Sequence, residues 1–186
     1  MPRAHRFLFI AMLALAAGRP VYVGAQVDEY GVKAAFVRNF IAFVEWPPLR
    51  LSGADPLQLC VFNGSPITPK LTALNMDAVK GHRVQVRAIA AIPDLGACHV
   101  VFVPVAESAQ IGDIHSRYKG SGLLTISEAT TERSGAVINV YVTGNKMTFD
   151  VDLAEADALN VRVSSKLAAL AHRVHGATTP ARGFGD

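Results

Sequence analysis

Three short apolar runs constrain this chain more than any other feature. Leu57–Phe62 (LQLCVF), Cys98–Val103 (CHVVFV) and Leu123–Ser127 (LLTIS) are rich in β-branched and aromatic residues and apolar at nearly consecutive positions. A strand of that kind must be covered on both faces, which is the environment of a parallel sheet. His82–Ala88 (HRVQVRA) instead alternates polar and apolar residues and predicts a strand with one wet face. Helical stretches lie between the runs: Ile67–Leu74, after the turn Asn63-Gly64-Ser65-Pro66, and Glu107–Tyr118, ended by Gly120. The rhythm then changes. Ala136–Val142 and Lys146–Val151 flank Thr143-Gly144-Asn145, a short connection suited to an antiparallel hairpin. Leu153–Val174 is helical in composition, with a break expected near Asn160-Val161. The pattern predicts a single three-layer α/β domain: a mixed, mostly parallel sheet, helices on both faces, and a C-terminal β-hairpin plus helix.

Glu29–Val44 predicts an amphipathic helix with Val32, Phe36, Phe40 and Phe43 at helical spacing, Asp28 as N-cap, and a stop at Pro47-Pro48. Such a stripe ordinarily packs on a core. The competing reading makes Phe36, Phe40, Phe43 and Trp46 a partner interface, since aromatic anchors carry much of the energy in protein contacts.

The N-terminus has the three parts of a cleavable secretory signal. Arg3 and Arg6 give a positive start, Phe7–Ala17 an apolar run, and Val21-Tyr22-Val23-Gly24-Ala25 a small-residue end. Cleavage is expected after Ala25, leaving residues 26–175 as the domain and 176–186 (GATTPARGFGD) as a flexible tail. The leader is too short to span a bilayer core of about 30 Å. It also carries Arg3, Arg6 and Arg19 and no acid, so the 18 Lys+Arg of the full chain fall to 15 against 15 Asp+Glu. A formally neutral mature chain lacks the basic footprint of a nucleic-acid binder.

No catalytic constellation stands out. His82, His99, His115, His172 and His175 share no ligand spacing, so no metal site and no cofactor are expected. There is no G-x-S-x-G elbow, and Cys98 and His99, adjacent on a strand, point to opposite faces. Glu128, Glu132 and Asp150 read as surface acids, and His172 and His175 as surface histidines on the last helix. Asn63, Gly64 and Ser65 follow a strand and precede a helix, so they are the candidate ligand turn beside an ordinary connection. Cys60 and Cys98 are either two small buried hydrophobes or a disulfide. Export to an oxidising compartment favours the disulfide.

The ordered series of segments resembles the YfiR-like family of periplasmic proteins. The similarity runs through VKAAFVRNFIAFVEWP (Val32–Pro47), LCVF (Leu59–Phe62), CHVVFV (Cys98–Val103), LLTIS (Leu123–Ser127), INVYVTGNKMTFDVDL (Ile138–Leu153) and VSSKLAALA (Val163–Ala171). The resemblance implies a non-catalytic regulator that represses an inner-membrane diguanylate cyclase through its periplasmic region, lowering cyclic di-GMP and biofilm formation. It implies a homodimer, and a cysteine pair at Cys60 and Cys98 whose oxidation state is tied to folding and repressor control. The chain departs from the family pattern twice. It has no second cysteine pair near Thr131–Val142, and it has Asp152 where asparagine is expected. The competing function is a periplasmic small-molecule sensor, using a crevice at the carboxyl ends of the parallel strands.

Overall fold

The computed structural model describes residues 28–73, 78–130, 133–144 and 146–176. The expected leader over 1–25 and the expected tail beyond Gly176 lie outside these residues, as do Leu74, Glu132 and Asn145.

Asp28 caps the first helix, α1 (Glu29–Ala42), by accepting the Gly31 N–H, and it pairs with Lys70 at 2.5 Å. Ala34, Val37, Phe40 and Ile41 turn one side of α1 into the core. The helix stops at Ala42, before the prolines, because Val44–Glu45 (β1) is extended and pairs antiparallel with Arg162–Val163 (β8).

The main sheet contains β2 (Leu57–Phe62), β3 (Val84–Ile89), β4 (Val100–Val103), β5 (Leu124–Ser127), β6 (Ile138–Thr143), β7 (Lys146–Asp152) and β9 (Arg173–His175), in the order β3-β2-β4-β5-β6-β7-β9. Every pairing from β3 through β6 is parallel, the β6–β7 hairpin is antiparallel, and β9 runs parallel to β7. The expected mixed, mostly parallel α/β architecture is what the chain adopts.

Alternation along the central strands explains the two covered faces. Leu59, Val61, Val100, Phe102, Leu124 and Ile126 pack towards α1 and α2 (Thr68–Ala73). Cys60, Phe62, Val101 and Val103 pack on the opposite face with Leu95, Ile111 and Ile114. Each such side chain contributes about 1.5–3 kcal/mol through burial. The connection from β2 to β3 passes through α2 on the α1 side. The connection from β4 to β5 passes through a 3₁₀ turn, Val105–Gln110, and α3 (Ile111–Tyr118) on the other side. Chain connections therefore diverge to opposite faces between β2 and β4.

Two elements differ from expectation. The helix expected from Glu107 begins as a 3₁₀ turn and becomes α-helical only at Ile111, a common way to enter a helix. The long helix expected over Leu153–Val174 is instead α4 (Leu153–Ala158), β8, α5 (Ser165–Ala168) and β9. Asn160 sits in the left-handed region at φ 60°, a conformation asparagine tolerates, and it ends the helix where the break was expected. Ser164 then caps a fresh turn by accepting the Lys166 N–H, and the chain closes as a strand.

Candidate functional site

The amino-terminal ends of the parallel strands are tied together. Cys60, within β2, and Cys98, where a 3₁₀ helix (Ile92–Ala97) enters β4, form a disulfide with Cα atoms 5.9 Å apart. Both residues are 0 % exposed. The bridge spans 38 residues of sequence, which in the chain-entropy model corresponds to about 4 kcal/mol. Beside it, the segment after α1 is strapped onto the start of β4. The Trp46 indole N–H donates to the His99 carbonyl at 3.2 Å, and the Arg50 guanidinium donates to the Gly96 and Cys98 carbonyls.

His99 completes this strap. Its Nδ1 lies 2.9 Å from the Gln58 N–H, a group that can only donate, so Nδ1 accepts and the proton sits on Nε2. Nε2 then donates to the Arg50 carbonyl at 2.9 Å. Burial is the main force holding the His99 pKa below the ordinary histidine value, with the neighbouring Arg50 charge acting the same way and the hydrogen bond to the Arg50 carbonyl opposing. Both ring nitrogens are spent on backbone groups. This histidine is a structural fastener.

The carboxyl ends are built differently. A groove of about 660 Å³ opens there, bounded by the first turn of α1, by Pro66, by Pro104-Val105, and by Val140 to Val142 of β6. At its floor the Lys33 ammonium contacts Glu128 and Glu29, each at 2.7 Å. Lys33 and Glu128 are buried, whereas Glu29 is about half exposed. Desolvation works against the Lys33 charge, but hydrogen bonds to Glu128 and Glu29 outweigh it and hold the ammonium above the usual lysine pKa. The second oxygen of Glu128 accepts the Val105 N–H at 3.3 Å.

Glu128 and Asp150 are therefore not surface acids. Glu128 is the buried partner of Lys33, and Asp150 is buried on β7, accepting from the Tyr141 hydroxyl at 2.8 Å. His172 is exposed but precedes β9, and His175 lies on that strand with its Nε2 3.8 Å from Asp150, so neither belongs to a helix. Of the aromatic stripe, Phe40 is a core residue stacked against Phe149 at a centroid distance of 4.8 Å. Phe36, Phe43 and Trp46 are half-buried at its margin. Asn63 and Gly64 are exposed in their turn, whereas Ser65 is buried and its hydroxyl has no hydrogen-bond partner among the described residues.

A further arrangement escaped the sequence reading because its members lie on α3, β5 and α4. His115 Nδ1 is 2.7 Å from Glu155, and its Nε2 is 2.9 Å from the Thr125 hydroxyl. The order hydroxyl–imidazole–carboxylate imitates a nucleophilic triad. Thr125, however, is 0 % exposed and already accepts the Val137 N–H at 3.0 Å, so no substrate reaches it. The three residues lock two helices to the sheet. Asp152, in place of the expected asparagine, caps α4 by accepting the Ala154 and Glu155 N–H groups. A carboxylate suits that helix end at least as well as an amide. Among the described residues, no three metal-ligating side chains gather to hold an ion.

All the residues of both ends except Glu29 fall inside one recognisable unit. A family model described as YfiR/HmsC-like matches residues 30–172. The chain belongs to the YfiR/HmsC-like family. At family level this supports a periplasmic regulator of diguanylate cyclase, the family being regulatory rather than catalytic. The match contains the disulfide, α1 from Tyr30 onward, and every residue lining the groove except Glu29.

Proposed function

We propose that the chain is exported, cleaved after Ala25, and represses an inner-membrane diguanylate cyclase by binding its periplasmic region, so lowering cyclic di-GMP and biofilm formation. The observation that carries this reading is membership of the YfiR/HmsC-like family across residues 30–172. Repression works by protein contact, and a homodimer is the form that makes it. The contact surface is the end of α1 and the turn after it. Phe43 and Trp46 are half-buried there, and Leu49 is fully exposed beyond Pro47-Pro48. Phe40 supports that surface from the core and does not touch the partner.

The disulfide connects this role to redox conditions. Both cysteines are completely buried, so reductant acts on chains that have not yet folded rather than toggling folded repressor. The deciding experiment measures cyclic di-GMP in a deletion strain against its parent. A rise reversed by the wild-type gene, and not by a Leu49→Asp variant present at normal periplasmic level, supports the reading. Unchanged cyclic di-GMP on deletion, with and without reductant, overturns repression. Full complementation by Leu49→Asp overturns the proposed surface.

A further inference from the structure

The groove at the carboxyl ends has the position, size and chemistry of a ligand site. It lies where the connections leaving β2 and β4 part to opposite faces of the sheet, with Pro66 beginning one and Pro104-Val105 the other. In open α/β sheets that divergence leaves a crevice that main-chain connections cannot fill, and ligands bind there. Its volume of about 660 Å³ suits a small organic molecule.

Two features of the groove go beyond what the fold itself requires. Val105 and Val142 are 47 % and 50 % exposed on its walls, large apolar side chains left in water. At the floor, the core-side charges of Lys33 and Glu128 are a costly way to join α1 to the end of β5, since a well-packed apolar pair would serve as well.

The charges identify the class of ligand. Lys33, Glu29 and Glu128 line the groove together, one cation against two carboxylates, and the ammonium is already held by both acids. The balance is one negative charge, presented on Glu29, which still reaches solvent. The rings of Tyr30 and Tyr141 also line the groove; ring faces favour cations, and the Lys33 ammonium already lies 5.0 Å from the Tyr30 ring centroid. We infer that this crevice binds a small amphipathic amine, its ammonium on Glu29 and its apolar body between Val105 and Val142. The inference goes beyond repression of a cyclase and is independent of it, because binding is read on the isolated protein.

The test is a titration of the ¹⁵N-labelled mature protein with phenethylamine, 2-phenylethanol and 3-phenylpropionate, which share a ring and differ in charge. Phenethylamine is expected to shift the Val105, Thr130 and Val142 amide signals saturably, and to bind at least about tenfold more tightly than the carboxylate. Glu29→Gln, on a half-exposed side chain, should weaken the amine by about tenfold and leave the alcohol unchanged. Val142→Ser should weaken amine and alcohol alike. Equal affinity for amine and carboxylate, indifference of the amine to Glu29→Gln, or no saturable shift at these amides with any probe overturns the inference. Any of those results leaves the cyclase reading standing, just as unchanged cyclic di-GMP in the deletion strain leaves this one.

Discussion

The two ends of the parallel sheet solve opposite problems with similar residue types. At the amino end, Trp46, Arg50 and His99 direct their polar atoms at backbone carbonyls and amides, and the Cys60–Cys98 bridge lies behind them. Every interaction there closes the structure onto itself. At the carboxyl end, Lys33 and the two glutamates pair with each other at the floor of an open groove walled by half-exposed valines. Polar groups satisfied by backbone rigidify, whereas paired charges under an apolar rim remain available to a visitor. The amino end is thus cross-tied by backbone contacts and a disulfide, whereas the carboxyl end carries an open, charged groove.

The contrast breaks most visibly if the covalent tie is removed. Replacing both Cys60 and Cys98 by alanine should cost about 4 kcal/mol in urea unfolding, a large share of the about 5–15 kcal/mol that holds a typical domain. At the other end, Glu128→Gln leaves the buried Lys33 charge with only the half-exposed Glu29, and should cost about 3 kcal/mol by the same measurement. A smaller loss is expected from Gly122→Ala. The glycine has φ +75°, and an added Cβ would stand 3.0 Å from Arg50 Cγ and 3.2 Å from Pro47 Cδ. That variant should lose about 2 kcal/mol and loosen the strap, which hydrogen exchange at the His99 amide would report. If instead it were as stable as wild type, the amino end would be more pliable than its hydrogen bonds imply.

The smallest effect is a pH dependence. The folded chain holds His99 neutral to a lower pH than the unfolded chain, whose histidine titrates near about 6.5. Above that value both states are neutral and the full stability is present. As pH falls below it, the unfolded chain gains a proton that the folded one refuses, so stability declines until the folded pKa is reached. Melting temperatures followed from about pH 8 to about pH 5 should fall less steeply for His99→Gln than for wild type. Parallel slopes would mean that His99 is not held neutral in the fold.

Much of the fold was legible because its information is local. Apolar runs on β2, β4 and β5 need two covers, Asp28 caps a helix, and a glycine turn makes a hairpin. What misled the reading was equally specific. Leu153–Val174 has helical composition, but Asn160 reverses the backbone and β9 takes a free edge beside β7. Glu128 and Asp150 carry no local sign of burial, because their partners Lys33 and Tyr141 come from other elements. Phe40 belongs to a spacing that fits a core or an interface equally, and only its contact with Phe149 decides between them.

By itself, then, the sequence determined the strand and helix periods, the covered parallel sheet, and the presence of two cysteines able to pair. Those properties depend on neighbours within a few positions of one another, and side-chain period alone sorts them onto faces. Only the tertiary structure decided which end of the sheet is cross-tied by the disulfide and which carries the charged groove. Lys33 meets Glu128 across 95 positions and Trp46 meets His99 across 53, and no local pattern encodes a contact made by chain closure.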